Sequence, residues 1–561
     1  MAHVITQNCC NDANCVAVCP ADCIHPRPDE PGFATAEMLY IDAESCIDCG
    51  ACIPACPVDA IFPDFDDQLP SGFNLLEELN ARYYRAAPPA TPAPMPKLTL
   101  KTSSVSAAAP ELPQLRVAIV GSGPAAHYAA AELLDSGDAA VSVDMFERLP
   151  LPGGLIRYGV APDHERTKGV QTAFVRMRRR PEFRMFLNVE VGRDITVEQL
   201  SQRYHAVIYA VGASSDRQLG IPGEDLPGSH SATDFVAWYN GHPDYTDRSF
   251  DLSGTRAVVV GNGNVALDVA RVLAGDPDRL AGTDIADHAL AALRTSNIRE
   301  VVVVGRRGPA DAAFTTPELI GLTLREDLDL VVAPEAIEAH RGAFPAGAPP
   351  LSEYKVEVLG GLADRARGRD RRIVLRFLSS PTEIAGEDRV TGIRLGHNRL
   401  VSEAEGRTRV EPAGTSELLD CGLVLRAIGY RGSPIADLPY DAERGIIPND
   451  NGRVTDPISG LPVPGVYTTG WIKRGPSGGI GMNKQCAADT VGRLLADLAA
   501  GALPEPVQAP TDLAELLPDH VDIAGARAIE DHETAQGAQQ MRPRVKVVEI
   551  DRMLELARKG I

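Results

Sequence analysis

The stretch Leu115–Leu134, "LRVAIVGSGPAAHYAAAELL", decides the fold of most of the chain. It opens as a short apolar run, breaks at a glycine turn and continues as an alanine-rich helical pattern, the order in which a strand feeds a dinucleotide-binding turn. A second copy, "TRAVVVGNGNVALDVARVL", runs from Thr255 to Leu273. Two such strand-turn-helix units predict two dinucleotide folds of α/β class in one protein. The segments "AVIYAVGAS" (Ala206–Ser214) and "GLVLRAIGY" (Gly422–Tyr430) are apolar strands ending near glycine. They are expected to be the crossovers where the second fold is inserted into the first.

Each turn carries its own chemistry. Gly121, Gly123 and Ala125 belong to Gly121-Ser122-Gly123-Pro124-Ala125-Ala126, where a glycine turn lets backbone amides at a helix N-terminus approach a pyrophosphate. Glu147 ends the next strand, "VSVDMFE", where a carboxylate can bind both ribose hydroxyls and disfavours a 2′-phosphate. The first site suits FAD or NAD. In the second copy Gly261, Asn262, Gly263 and Asn264 open the helix, and the following strand, "EVVVVGRRG", ends in Arg306 and Arg307. Two guanidiniums in the place of the carboxylate pair a 2′-phosphate bidentately, so the second site prefers NADP. The alternative for that pair is a solvated basic turn.

Working outward to the front, nine of the eleven cysteines lie before residue 57, and the first 66 residues hold eleven acidic side chains and one basic one, Arg27. Such a piece is repelled by nucleic acid and by anionic membranes and attracted to a basic protein surface. No run approaches a membrane span, and the N-terminus "MAHVITQ" lacks the plan of a signal peptide. A reducing cytoplasm is the expectation, where metal thiolates persist and disulfides do not. From Arg85 to Gln114 the Pro-, Ala- and Ser-rich sequence reads as a linker.

The cysteines form a near-repeat. "SCIDCGACIPACP" (Ser45–Pro57) has Cys46, Cys49, Cys52 and Cys56 where "NCCNDANCVAVCP" (Asn8–Pro20) has Cys9, Asp12, Cys15 and Cys19. The pattern CxxCxxCxxxCP gives three thiolates to one iron–sulfur cluster while the fourth reaches a second. The crossed pairing predicts Cys46, Cys49, Cys52 and Cys19 on one [4Fe–4S] cluster and Cys56, Cys15 and Cys9 on the other. A carboxylate at Asp12 is a harder, weaker ligand for iron than a thiolate, so that second site holds either a [3Fe–4S] cluster, the favoured reading, or a completed [4Fe–4S]. Cys10 competes with Cys9 for the first ligand position, and spacing favours Cys9. A zinc ribbon leaves both Cys-Pro endings without a reason.

The front resembles the bacterial seven-iron ferredoxins over about 65 residues, and by that resemblance Cys23 in "CPADCI" lies beside the clusters without ligating. The segments "PGGLIRYGVAPDH" (Pro152–His164), "GNGNVALDVAR" (Gly261–Arg271), "VGRRGPADAAFTTPEL" (Val304–Leu319) and "GVYTTGWIKRGPSGGIG" (Gly465–Gly481) resemble adrenodoxin reductase and its bacterial ferredoxin–NADP reductase relatives. Together they make the chain similar to the actinobacterial ferredoxin/ferredoxin–NADP reductase fusion. The resemblance implies that Ala125, Glu147, Leu155, Val191, Trp471 and Gly478, Gly479 and Ile480 contact FAD. It implies that Arg217, Gly261 to Asn264, Arg306, Arg307, Glu318 and Gly478 serve NADP(H), and that His164 and Glu318 stand near flavin and nicotinamide as the candidate catalytic groups.

The expected plan is an α+β ferredoxin-like iron–sulfur domain (1–70), a linker (71–114), and an α/β flavoprotein with FAD-binding parts at 115–213 and 434–561, the latter with C-terminal helices, and an inserted NADP-binding domain at 214–433. The resemblance implies an enzyme that passes electrons from NADPH through FAD to the clusters and on to an acceptor, a ferredoxin or a cytochrome P450. No nucleophile or triad is needed for that, because the cofactors carry the chemistry. The basic segment "VRMRRRPEFR" (Val175–Arg184) is the expected dock for the acidic front. Two rivals are a glutamate-synthase-type FAD/NADPH input module, whose usual "GD" is Gly470-Trp471 here, and a non-catalytic electron-transfer scaffold.

Overall fold

The computed structural model describes residues 2–64, 72–86, 114–137, 140–338, 351–363, 368–402 and 408–559. Two large sheets carry the fold. The first has seven strands in the order Asn449–Asp450, Arg453–Thr455, Pro462–Thr468, Ala206–Tyr209, Gln114–Val120, Ala140–Glu147 and Phe183–Leu187. Its five strands from Pro462–Thr468 onward pair in parallel, and a short antiparallel hairpin finishes the edge.

The second sheet is parallel throughout: Ser229–Ser231, Leu423–Arg426, Arg256–Val260, Glu300–Val304, Arg372–Arg376 and Asp329–Val332. All its strands fall between two strands of the first sheet, so the second unit is an insertion. Runs such as "RAVVV" and "EVVVV" are apolar at nearly every position because a parallel sheet is covered on both faces. The crossovers themselves pair, Tyr430 with Asp216 and Arg431 with Ser215, in a two-stranded antiparallel link between the units. Three antiparallel strands, Ser379–Ala385, Gly392–Ser402 and Thr408–Asp420, flank the second unit.

The cysteine-rich front folds as α+β. His3–Ile5 pairs antiparallel with Ile61–Pro63, and Ile24–His25 with Tyr40–Ile41. Each half of the near-repeat gives one short helix, Asn14–Val18 and Cys52–Ala55, that leads into a Cys-Pro end.

Residues 73–86, expected to begin the linker, instead form the helix Phe73–Ala86 that completes this unit. Phe73, Leu76 and Leu79 recur at helical spacing and are buried. Asn80, also buried, sews the helix to two strands: its Nδ2 donates to the Ile5 carbonyl at 3.0 Å, and its Oδ1 accepts the Ile41 amide at 2.9 Å. The remainder of the expected linker, 87–113, lies outside the described residues.

The front unit shares its core with the rest of the chain. Val4, Ile41, Val58, Leu76 and Leu79 pack in one cluster with Ile156, Val170, Phe174, Ile320, Leu351 and Tyr354. The basic segment Val175–Arg184 is not the main seat. Arg178 bonds His127, Arg180 pairs with Asp135 and Arg184 with Asp144, all within the first dinucleotide unit. Its neighbour Phe174 packs against the front by burial rather than by charge.

Candidate functional site

At the first turn, Gly121 has φ +100°, and a Cβ there would meet the Ala210 carbonyl oxygen at 2.5 Å, so only glycine fits. A Cβ built on Gly123 would meet no heavy atom of the described residues within 4 Å, so the start of the helix Pro124–Asp135 is open on that side, where a pyrophosphate fits. Glu147, at the end of its strand, accepts from the Ser122 hydroxyl at 2.6 Å and from the Ser122 and Leu149 amides at 3.1 Å. The carboxylate is thereby fixed at the mouth of the turn.

Gly470, with φ +78°, lets the chain pass so close to Ala125 that a Cβ would sit 2.6 Å from the alanine methyl. The next residue, Trp471, has a buried indole Nε1 without a partner among the described residues, an orphan donor that fits a ligand acceptor. Leu155 opens the short helix Leu155–Tyr158, and Val191 packs at the rim of the Phe146 cluster. Gly478, with φ +75°, Gly479 and Ile480 lie on the segment leading into the helix Met482–Ala499. These donors and spaces fit an FAD.

The second turn repeats the logic. Gly261 has φ +117°, and a Cβ would meet the Ala427 carbonyl oxygen at 2.2 Å, whereas Gly263 faces open space. Asn264 Oδ1 accepts the Thr315 amide at 2.8 Å and its Nδ2 donates to the Thr315 hydroxyl at 3.3 Å, which ties the turn to the helix Thr316–Thr323 carrying Glu318. Arg306 and Arg307 follow the strand Glu300–Val304 and are exposed; among the described residues neither side chain has an ion-pair partner. Arg217 is exposed beside Gly429, whose carbonyl accepts the Arg217 amide at 3.1 Å. The free guanidiniums and open turn fit an NADP(H).

Between the two units lies a charge cluster centred on Arg271, which is buried on the helix Asn264–Ala274. Its guanidinium donates to Asp163 at 2.8 Å, Glu318 at 2.6 Å and Asp268 at 2.6 Å, and its Nη2 lies 2.8 Å from His164 Nε2. His164 also stands 3.7 Å from Glu318 and 3.9 Å from Asp268. These three could surround a cation, and the Arg271 guanidinium occupies that role.

Burial alone would raise Asp163, but the Arg271 guanidinium outweighs it and holds the carboxyl well below the usual range. Burial pushes Asp268 up to about 6, because Arg271 is shared with competing carboxylates. The candidate pair His164 and Glu318 is therefore brought together. Asp163, Asp268 and Arg271 are members that sequence reading passed over, although "APDH" and "ALDVAR" contain them at fixed spacing.

In the front unit, one cavity is lined by Cys19, Cys46, Cys49 and Cys52, with Cys23 and His3 beside them. The Cys23 amide lies 3.5 Å from Cys19 Sγ, and Cys23 Sγ is 3.4 Å away. Cys9, Cys15, Cys56 and Asp12 form a second group. Burial raises the Cys15 thiol first, and of the neighbouring charges Cys9 acts most strongly, followed by Asp12 and Cys56. Burial likewise pushes Cys9 up to about 12, so these thiols ionise only against a strong positive charge such as iron. The Ala60 amide donates to Cys56 Sγ at 3.3 Å. Asn11 and Ala13 adopt φ +60° and +57°, left-handed turns that curl the chain between Cys9 and Cys15. Both thiol groups fit iron–sulfur clusters in the crossed arrangement.

Both parts of the chain have matches among known proteins. Residues 115–305 match the family "Pyridine nucleotide-disulphide oxidoreductase" and residues 39–62 match "4Fe-4S binding domain". A Mycobacterium tuberculosis protein named "Probable ferredoxin/ferredoxin–NADP reductase" is 50% identical, covering 99% of this chain and 95% of its own length. One of the same name from Mycobacterium leprae is 48% identical over 99% of this chain and 98% of its own. Among solved structures, Mycobacterium tuberculosis FprA in complex with NADPH superposes with a TM-score of 0.75 at 47% identity, covering 79% of this chain and 99% of that one. With a ferredoxin-like front and two nested dinucleotide units, and half its residues shared with such relatives from end to end, this chain belongs to the ferredoxin/ferredoxin–NADP reductase family.

Proposed function

We propose that the chain is an NADPH–ferredoxin oxidoreductase that carries its own ferredoxin: NADPH is oxidised at the inserted unit and electrons leave through the cysteine-rich front. The observation that carries this reading is the contact of the two electron-carrying parts. The Gly481 amide, one residue beyond the FAD-side segment 478–480, donates to the Cys10 carbonyl at 2.7 Å. FAD supplies, when bound, the conversion of a two-electron hydride into the single electrons that iron–sulfur clusters accept.

The chain's own residues bind and orient. Gly121, Gly123, Ala125, Glu147, Leu155, Val191, Trp471 and Gly478–Ile480 would hold FAD. Gly261–Asn264, Arg217, Arg306, Arg307 and Glu318 would hold NADP(H). Arg271, which touches Asp163, Asp268 and Glu318 at once, fixes the approach of one unit to the other and orients His164, whose Nε2 accepts its N–H. Cys19, Cys46, Cys49 and Cys52 would bind a four-iron cluster. Cys9, Cys15 and Cys56 would bind a three-iron cluster, because the Asp12 carboxylate is engaged by the Asn14 amide at 3.3 Å and by the Asn14 side chain.

An outside ferredoxin or a cytochrome P450 is the proposed acceptor. No helix among the described residues is long and apolar enough to cross a membrane, and thiolate-bound iron fits the reducing cytoplasm. The reading is tested by anaerobic mixing with NADPH or NADH. Flavin absorbance that bleaches at least tenfold more readily with NADPH supports it, and an absence of flavin or of any bleaching contradicts it.

A further inference from the structure

The two cysteine sites are not equivalent with respect to the reductase, and the difference lies in which backbone segments touch it. Around Cys9, Cys15 and Cys56 the contacts are dense. Lys484 Nζ donates to the Asp12 carbonyl at 3.2 Å and to Asn14 Oδ1 at 2.6 Å. Gly481 is seated so tightly that a Cβ would lie 2.3 Å from Asp12 N and 2.4 Å from the Cys10 carbonyl oxygen. Tyr128, on the helix that starts at the first glycine turn, packs against the apolar cluster that holds Cys10, Ala13 and Cys15.

On the other flank, Arg166 donates to the Asp59 carbonyl at 3.3 Å and lies over the Phe62 ring at 5.3 Å, and a Cβ on Gly169 would be 3.2 Å from the Pro57 carbonyl oxygen. The four-cysteine site presents the opposite picture. Cys49 is exposed, Ile47 is 65% exposed and Ile53 38%. The bonds described for residues 42–53 stay inside the front unit, such as His3 with Asp48 at 3.0 Å and Asp42 with Ser45.

We propose that Gly481 and Lys484 form an intramolecular latch that seats the Cys9–Cys15–Cys56 site against the FAD-side segment, making it the inboard port, and leaves the Cys19–Cys46–Cys49–Cys52 site as the outboard one. This rests on the function proposed above and adds an order to it. The hydride brings two electrons, each site takes one at a time, and the outboard site is filled by way of the inboard one. Electron transfer depends on approach, so the latch residues are positioning residues: they touch the peptide that carries the inboard thiols and not the reacting atoms.

The test uses the full-length protein loaded with its cofactors, under anaerobic conditions, with low-temperature EPR after NADPH and, separately, after dithionite. In Cys49→Ser, which strips a ligand from the outboard site, NADPH should still reduce the inboard cluster; an inboard cluster that only dithionite reduces overturns the proposal. In Cys56→Ser the outboard cluster should remain reducible by dithionite but accept electrons from NADPH at least tenfold more slowly. Outboard reduction at the unaltered rate in Cys56→Ser overturns the proposal.

Should Cys56→Ser fail to fold or load, Gly481→Ala decides instead, since φ −68° at Gly481 allows alanine and only the Cys10–Asp12 backbone opposes it. There, cluster reduction should slow at least tenfold relative to flavin bleaching in the same sample, and amide exchange over residues 9–14 should rise. An unchanged ratio with unchanged exchange overturns the latch. A wild-type flavin that NADPH does not bleach overturns the functional reading and this order with it, whereas normal bleaching with outboard reduction independent of Cys56 overturns this order alone.

Discussion

Arg306 and Arg307 are the residues on which the choice of nucleotide turns. A hydrogen bond to a charged group contributes about 1.5–3 kcal/mol, so Arg306→Ala or Arg307→Ala should raise KM for NADPH roughly tenfold or more and leave NADH almost unaffected. Equal losses for both nucleotides would place the pair outside the 2′-phosphate site. These arginines, the glycine turns and the cysteines were legible in the sequence because their chemistry depends on short spacing. Lys484, Tyr128 and Gly481 were not, because each acts on a partner far away in the chain, which no local pattern encodes. The arginines of Val175–Arg184 were misread for the same reason: His127, Asp135 and Asp144, which engage three of them, come from other elements.

At the scale of elements, the helix Phe73–Ala86 shows how a polar residue can hold a fold together. Asn80 replaces missing backbone partners of Ile5 and Ile41, and its removal leaves buried donors and acceptors unpaired at about 1–3 kcal/mol each. Asn80→Ala should lower the melting temperature of the full chain and hasten loss of the iron absorbance on mild heating; unchanged iron retention would show that the helix is dispensable to the front unit. The expected linker, 71–114, takes in this helix, although the Phe73, Leu76 and Leu79 spacing is present in the sequence. The pattern is short, and only contact with the strands makes it stable.

The C-terminal helices, expected from the sequence but with little readable chemistry there, act as a strap. From the segment after Ile523–Gln539, Arg542 bonds the Thr283 carbonyl at 2.9 Å and Asp287 at 2.7 Å, and Lys546 reaches the Arg157 and Asn240 carbonyls and Asp284. The buried Arg157–Glu533 pair ties the strap to the first dinucleotide unit.

For the whole molecule these buried charges join the two dinucleotide units, and they give it a pH signature. Burial would raise Asp284, but Lys546 and Lys168 outweigh it and hold its carboxyl well below the usual range, as Arg271 does for Asp163. A depressed carboxyl stabilises the fold above its unfolded value near about 4 and loses that contribution as pH falls toward the folded one. Denaturant titrations should therefore show stability falling steadily below about pH 4. Asp284→Asn, which strands two buried ammonium groups, should cost on the order of 3–5 kcal/mol at neutral pH. A flat profile between pH 4 and 3, or a variant as stable as the parent, would mean that the strap does not join the units.

The central claim is that one chain takes electrons from NADPH and delivers them to thiol-bound iron through a fixed seat. Low-temperature EPR of the anaerobic protein before and after a single addition of NADPH tests it most directly. The account predicts an oxidised three-iron signal from the Cys9–Cys15–Cys56 site that disappears after the addition, together with flavin bleaching. A flavin that bleaches while the three-iron signal persists unchanged would contradict it.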